Sequence, residues 1–196
     1  MSNVGKWNEW YAGMQPGQEN IALYGEALTY RMAAAFLADL EGVEDWGCGK
    51  GGFRLFCQNK YKGIDGSETP YADEIADLTT YRSAPEGILL RHVLEHNYDW
   101  EKILASAVAS FRKKLCLILF TPFAEATAEI AHNRHLGVDV PDLSLAATEI
   151  ERHFDGLRFR LFRDLTTKSQ YKVEHVYCIW REPRRFFSFR SLGSKS

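Results

Sequence analysis

The chain reads as an α/β protein: a mostly parallel sheet with helices on both faces, closed by an antiparallel hairpin. Three observations predict this. Short apolar or β-prone segments recur at VEDW (43–46), YKGID (61–65), GILLRHV (87–93) and KLCLILF (114–120), with intervals long enough to hold helices, and such alternation is the signature of parallel strands joined by crossovers. The pattern then changes, because LRFRLFRDL (157–165) and VEHVYCIWRE (173–182) are joined by only TTKSQYK, too short a link for a crossover helix, so these two strands must run antiparallel. Finally, a length of 196 residues with 45% hydrophobic and 26% charged residues suits one packed domain and leaves no need for stabilising cross-links.

Taken in order, residues 1–22 form an N-terminal segment without a continuous apolar run of signal-peptide type. From 23 to 40, LYGEALTYRMAAAFLADL places Leu23, Leu28, Met32, Phe36 and Leu40 near helical spacing among helix-favouring alanines, which predicts a first helix ending near Gly42. VEDWGCGKGGF (43–53) reads as strand, glycine-rich turn, and a helix starting near Phe53. DWEKILASAVASF (99–111) carries Trp100, Ile103, Leu104, Ala107, Val108 and Phe111 on one face, with Asp99 placed as N-cap. PDLSLAATEIERHFDG (141–156) predicts a further helix closed by Gly156 at C′. No repeat or long linker divides residues 1–183. The tail 184–196 is basic and aromatic, suited to phosphate contact, to docking as a strand, or to fraying as a terminus.

Several functions are disfavoured from the outset. A formal charge of −2 gives no global positive field for nucleic acid or an anionic membrane. Cys48, Cys57, Cys116 and Cys178 form no CxxC pair and no zinc spacing, which points to reduced thiols in a cytoplasm. HVLEH (92–96) matches the HxxEH pattern of inverted zinc proteases, but the match is short and begins at the edge of a strand; alternatively His96 simply caps or packs on the next helix.

The chemistry concentrates around the turn. Gly47, Gly49 and Gly51 let the backbone bend and a ligand approach closely; by themselves they also fit a structural turn or a dinucleotide site. Two carboxylates favour a cationic nucleoside. Asp45, at the end of the strand, repels a pyrophosphate but can face an ammonium, and Asp65, twenty residues on, occupies the position from which an acid accepts hydrogen bonds from ribose hydroxyls.

VEDWGCGKG resembles the glycine-rich motif of class I S-adenosylmethionine-dependent methyltransferases, and GIDGS resembles their ribose-binding motif. IADLTTY is similar to the segment after their third strand, and GILLRHVLEHNYDWEKIL to their fourth strand and following helix. The resemblance runs from about residue 42 to 180. It implies a Rossmann-like sheet of seven strands, S-adenosylmethionine as cofactor and S-adenosylhomocysteine as product, with Asp45, Gly47, Cys48, Gly49, Gly51, Asp65, Gly66, Asp77, Leu78 and Arg91 around the cofactor. Trp46 departs from the small or aliphatic residue usual there, and is expected to narrow the pocket.

Transfer to a hydroxyl needs a base, and histidine suits that task near neutral pH. His92, at the carboxyl end of the fourth strand, and His135, in the polar stretch AHNRHLGVDVPDLS, are the candidates, although each also has a plain structural reading. Asp139 and Asp142 are placed to bind a hydroxylated substrate or a divalent metal, unless Asp142 serves as a helix cap. Tyr11, Tyr24 and Tyr30 either form a lid or pack. RHVLEHNYDW with VDVPDLS is similar to saccharide O-methyltransferases, implying a small-molecule acceptor, first a sugar or glycoside hydroxyl. The alternatives are nitrogen or carbon methylation of a metabolite or natural product, and a non-catalytic module that only binds the cofactor.

Overall fold

The strands that the sequence marks as buried on both sides come together side by side. A computed structural model describes residues 4–135 and 137–182; the basic tail 184–196 lies outside the described residues. The strands are β1 (Gly42–Trp46), β2 (Lys60–Asp65), β3 (Glu74–Ile75), β4 (Gly87–Arg91), β5 (Lys114–Leu119), β6 (Ala128–His135), β7 (Val138–Ser144), β8 (Arg158–Thr166) and β9 (Val173–Trp180). Seven of them form one sheet in the order β3-β2-β1-β4-β5-β9-β8, while β6 and β7 pair separately. Parallel pairing joins β1 to β2 and β4, β2 to β3, and β4 to β5. Strand β9 is antiparallel to both β5 and β8, so the hairpin has the orientation its short link requires.

Alternation along each strand builds two cores. In β4, Ile88 and Leu90 join one cluster with Trp100, Ile103, Leu104 and Ile150, whereas Leu89 joins a second with Tyr30, Ala33 and Leu37. Helices α3 (Trp100–Ser110) and α4 (Ala147–Glu151) thus cover one face, and α2 (Leu28–Leu37) covers the other. A short helix, α1 (Asn8–Tyr11), precedes them. Among the described residues no helix is long and apolar enough to cross a membrane.

Four expectations shift. The buried stripe of α2 is Tyr30, Ala33 and Leu37, with Leu28 exposed at 43%, because the helix meets β5 and β9 with the adjacent face. The helix expected from Phe53 is one 3-10 turn, Gly52–Leu55. Residues 141–146 are not helical: β7 extends to Ser144, and helix resumes only at Ala147. Asp99 occupies the N-cap position of α3 without a side-chain cap bond, its carboxylate engaging Lys102 instead.

Candidate active site

The order of the sheet reverses between β1 and β4, and the carboxyl ends of strands at such a point leave a crevice where α/β proteins bind ligands. Here the crevice is a cavity of about 390 Å³. On the side above β1 and β2 its wall includes Asp45, Gly47, Cys48, Gly49, Asp65, Gly66 and Leu78, and above β4 and β5 it includes Arg91, His92, His96 and Phe120.

The glycine turn comes within contact of its neighbours in a way side chains forbid. Gly47 has φ +77°, and a Cβ there would lie 2.3 Å from Val93 Cγ2; at Gly49, with φ +50°, a Cβ would lie 3.1 Å from the Tyr11 hydroxyl. Positive φ at these positions is costly for any other residue.

Both acids face this turn. Asp65 is 6% exposed, and its two carboxylate oxygens accept from the Gly49 and Ser67 amides at 2.9 Å each; burial nevertheless pushes its pKa up to about 6. Asp45 is 3% exposed, and its Oδ2 accepts the Tyr61 hydroxyl at 2.8 Å. Burial outweighs that bond and raises its pKa to about 7. The charges of Arg91 and Arg54 do not offset the burial of Asp45, so the carboxylates beside bare backbone favour an added positive charge, which is what a cationic nucleoside supplies. On that test the residues fit S-adenosylmethionine.

Other sequence expectations meet different fates. Gly51 faces the Tyr71 ring rather than the cavity, and Gly52 lines the wall in its place. Asp77 stands outside the cavity wall, its carboxylate accepting from the Thr79 amide and hydroxyl at 2.9 and 2.6 Å. Arg91 lines the wall, but its guanidinium is bound by Glu174 Oε1 at 2.7 Å, the Tyr30 hydroxyl at 3.0 Å and the Tyr24 carbonyl at 2.9 Å. Cys48 lines the wall with its thiol pushed up by burial. Trp46 does not narrow the pocket: it is wholly buried against Tyr81, on the face opposite Asp45, with Nε1 donating to Glu44 at 2.9 Å.

Both candidate bases line the cavity, but only one has a carboxylate behind it. His92 adopts φ +54°, a conformation that costs a non-glycine residue about 1–3 kcal/mol and that clusters at functional sites. Its Nε2 lies 2.5 Å from Oε1 of Glu174, a side chain 1% exposed. Burial, then the Arg91 charge, holds the His92 pKa well below its usual value. His135 instead packs edge-on against Trp10, with ring centroids 6.0 Å apart.

The geometry does not support the zinc-protease reading, and it places the two candidate metal ligands of the hairpin apart. HVLEH is not a helical ligand set: Leu94–His96 is a 3-10 turn, Glu95 is fully buried and accepts the Phe120 amide at 2.6 Å, and His92 turns to Glu174. Asp139 pairs with His132 and Arg134, whereas Asp142 is buried among Asn133, Gln170 and Tyr171. Asp142 lies in β7 and caps no helix. Among the described residues no group of three or more His, Cys, Asp or Glu is arranged to hold a metal ion.

The N-terminal segment closes over the crevice. The Gly5 amide donates to the Gly66 carbonyl at 2.7 Å, and the Trp7 amide to Ser67 Oγ at 2.9 Å. Trp7, Trp10, Tyr11, Tyr24 and Tyr30 all line the cavity. Packed against them through Trp10 and His135 is the β6–β7 hairpin, whose Asn133, His135 and Val138 also line the wall.

Strand order and glycine turn together define the class I methyltransferase fold, Rossmann-like, with seven strands and a terminal antiparallel hairpin. Solved structures show the same architecture. The chain superposes on 1,6-didemethyltoxoflavin-N1-methyltransferase of Burkholderia thailandensis, solved with 1,6-didemethyltoxoflavin and S-adenosylhomocysteine, with a TM-score of 0.57 and 13% identity over 79% of this chain and 76% of that one. Magnesium protoporphyrin IX methyltransferase of Synechocystis PCC 6803 gives a TM-score of 0.58 at 16% identity, covering 90% and 93%. The N-terminal domain of EvdMO1, solved with S-adenosylhomocysteine and D-fucose, gives 0.56 at 11%, covering 80% and 82%. No family model and no curated protein matches the chain.

Proposed function

We propose that this protein is an S-adenosylmethionine-dependent methyltransferase acting on a hydroxyl of a small molecule, with a sugar or glycoside as the first acceptor class. The observation that carries the cofactor assignment is the convergence of Asp45, Asp65 and the glycine turn on one cavity at the reversal of the sheet. When bound, S-adenosylmethionine supplies a methyl group on a sulfonium, transferred as its S–C bond breaks and a C–O bond to the acceptor forms. Asp45 would hold the ammonium end and Asp65 the ribose, and Leu78 would offer an apolar contact to the base.

The chain's own contribution is alignment, exclusion of water and removal of one proton. Glu174 takes the Nε2 hydrogen of His92, which leaves Nδ1 with its lone pair. His92 is neutral at pH 7, so Nδ1 accepts the hydroxyl proton as the new bond forms, and the adjacent Glu174 stabilises the resulting imidazolium, as a carboxylate does behind other catalytic histidines. The N-terminal segment 1–22, with Trp7 and Trp10, serves as the lid that keeps water out. Residues 1–183 act as one domain. The four cysteines are free thiols, in keeping with a cytoplasmic setting.

A labelled-methyl assay over hydroxyl, amine and carbon acceptors tests the reading, with calorimetry of S-adenosylhomocysteine binding alongside. Hydroxyl transfer is expected. His92→Gln is expected to lower turnover roughly 10²–10⁴-fold while product binding stays near wild type. Tight binding with no transfer to any acceptor would leave only a binding module.

A further inference from the structure

Two imidazoles share the side of the cavity above β4 and β5, and each is held by its own buried carboxylate. Glu174 holds His92. His96 directs Nδ1 to the Pro141 carbonyl at 3.1 Å and to Asp142 Oδ1 at 3.1 Å. Asp142 is 0% exposed and also accepts from Asn133 at 2.7 Å, Gln170 at 3.0 Å and the Tyr171 hydroxyl at 2.7 Å. Burial alone would raise its pKa, but the bonds from His96, Tyr171 and Asn133 prevail and hold it below the usual carboxylate range.

Such partners decide which nitrogen of each ring carries the proton. With Nε2–H of His92 directed at Glu174, and Nδ1–H of His96 directed at Pro141 and Asp142, the remaining nitrogens, His92 Nδ1 and His96 Nε2, are acceptors. Among the described residues, the buried side-chain atoms without a partner are Trp10 Nε1, Arg54 Nε, Glu95 Oε2 and His175 Nε2. Neither free imidazole nitrogen is among these orphans, and both residues line the cavity. Both rings rest on the same phenyl group, Phe120, at centroid separations of 4.8 and 5.3 Å. Lying against one ring, the two imidazole centroids are at most about 10 Å apart, within the span of one small ligand. Trp7, edge-on to His96 at 5.2 Å, adds an apolar surface for the ring that bears the donors.

We propose that the acceptor is a vicinal diol, on a sugar ring or a catechol, with one hydroxyl on His92 and its neighbour donating to His96. The hydroxyl on His92 gives up its proton and takes the methyl group, while the one on His96 stays protonated and fixes which oxygen reacts. This deepens the assignment of the site to hydroxyl methylation and rests on it.

The test compares initial rates with labelled S-adenosylmethionine on two matched pairs: a methyl glycoside bearing a cis diol against its monodeoxy counterpart, and catechol against phenol. In one pair kcat/KM is expected to favour the diol by about tenfold or more, since the mono-hydroxyl partner leaves an acceptor unpaired in a dry site. The pair that discriminates identifies a saccharide or a phenolic acceptor. His96→Gln should bring the ratio towards one, chiefly through KM, with S-adenosylhomocysteine affinity by calorimetry serving as the check on folding. Equal rates for diol and mono-hydroxyl compounds, or a ratio that survives in His96→Gln, would overturn the inference while leaving oxygen methylation intact. Transfer to nitrogen acceptors alone would overturn both.

Discussion

Asp45 meets opposite demands in the free and the liganded protein. In the free protein its folded pKa, about 7, lies above the ordinary value of an aspartate, so its contribution to stability is complete at low pH and is lost as pH rises from about 4 through 7. A bound cation reverses the preference by stabilising the ionised form. Binding of S-adenosylmethionine should therefore strengthen between pH 6 and pH 8 and release protons at pH 6, both measurable by calorimetry in buffers of different ionisation enthalpy. Asp45→Asn should raise the melting temperature of the free protein at pH 8, flatten the pH dependence and weaken binding roughly 10–100-fold, the loss of a charged hydrogen bond. Asp45, Asp65 and His92 were legible in the sequence because each ends a strand whose apolar run announces it. Glu174 was not, and His96 was read only as part of HVLEH or as a capping or packing residue. Glu174 lies 82 positions beyond His92 in sequence, inside VEHVYCIW, where a single acid in a strand looks like an outward-facing residue.

At the scale of elements, the glycine turn and the hairpin over it respond differently to change. Gly47→Ala should cost about 1–2 kcal/mol for the left-handed backbone and force Val93 aside, lowering both the melting temperature and cofactor affinity; wild-type values in both would show that the turn relaxes freely. The β6–β7 hairpin escaped the sequence reading because Pro141 resembled a helix start. Proline fits that position because it lies in a two-stranded ribbon, where an edge tolerates a missing amide donor. A usable signal existed in VDVPDLS, where Val138 and Val140 are buried on either side of an exposed Asp139, with Gly137 at the tip holding φ +76°. Period two, rather than period 3.6, was the pattern to follow.

Across the whole molecule, the sheet was the most legible feature, because strands covered on both faces need unbroken apolar runs. β3 was the exception, since two residues leave too short a run to read. Stability should reside in the two cores flanking β4. Leu90→Ala, at a site with 0% exposure, should cost about 2–5 kcal/mol, a fall of roughly 5–15 °C in melting temperature for a chain of this size. Saturating cofactor at a hundred times its Kd should recover about 2.7 kcal/mol of that, provided the cavity survives the repacking.

The position of β9 has a separate consequence. This strand, wedged between β5 and an edge strand, delivers Glu174 to His92, the proposed base, which follows β4 in the parallel half of the sheet. Prying the hairpin away would strip His92 and Arg91 of their shared counter-charge, yet Asp45, Asp65 and the turn between them would keep their places. Damage at that margin should therefore yield protein that still captures its nucleoside but no longer passes the methyl group on.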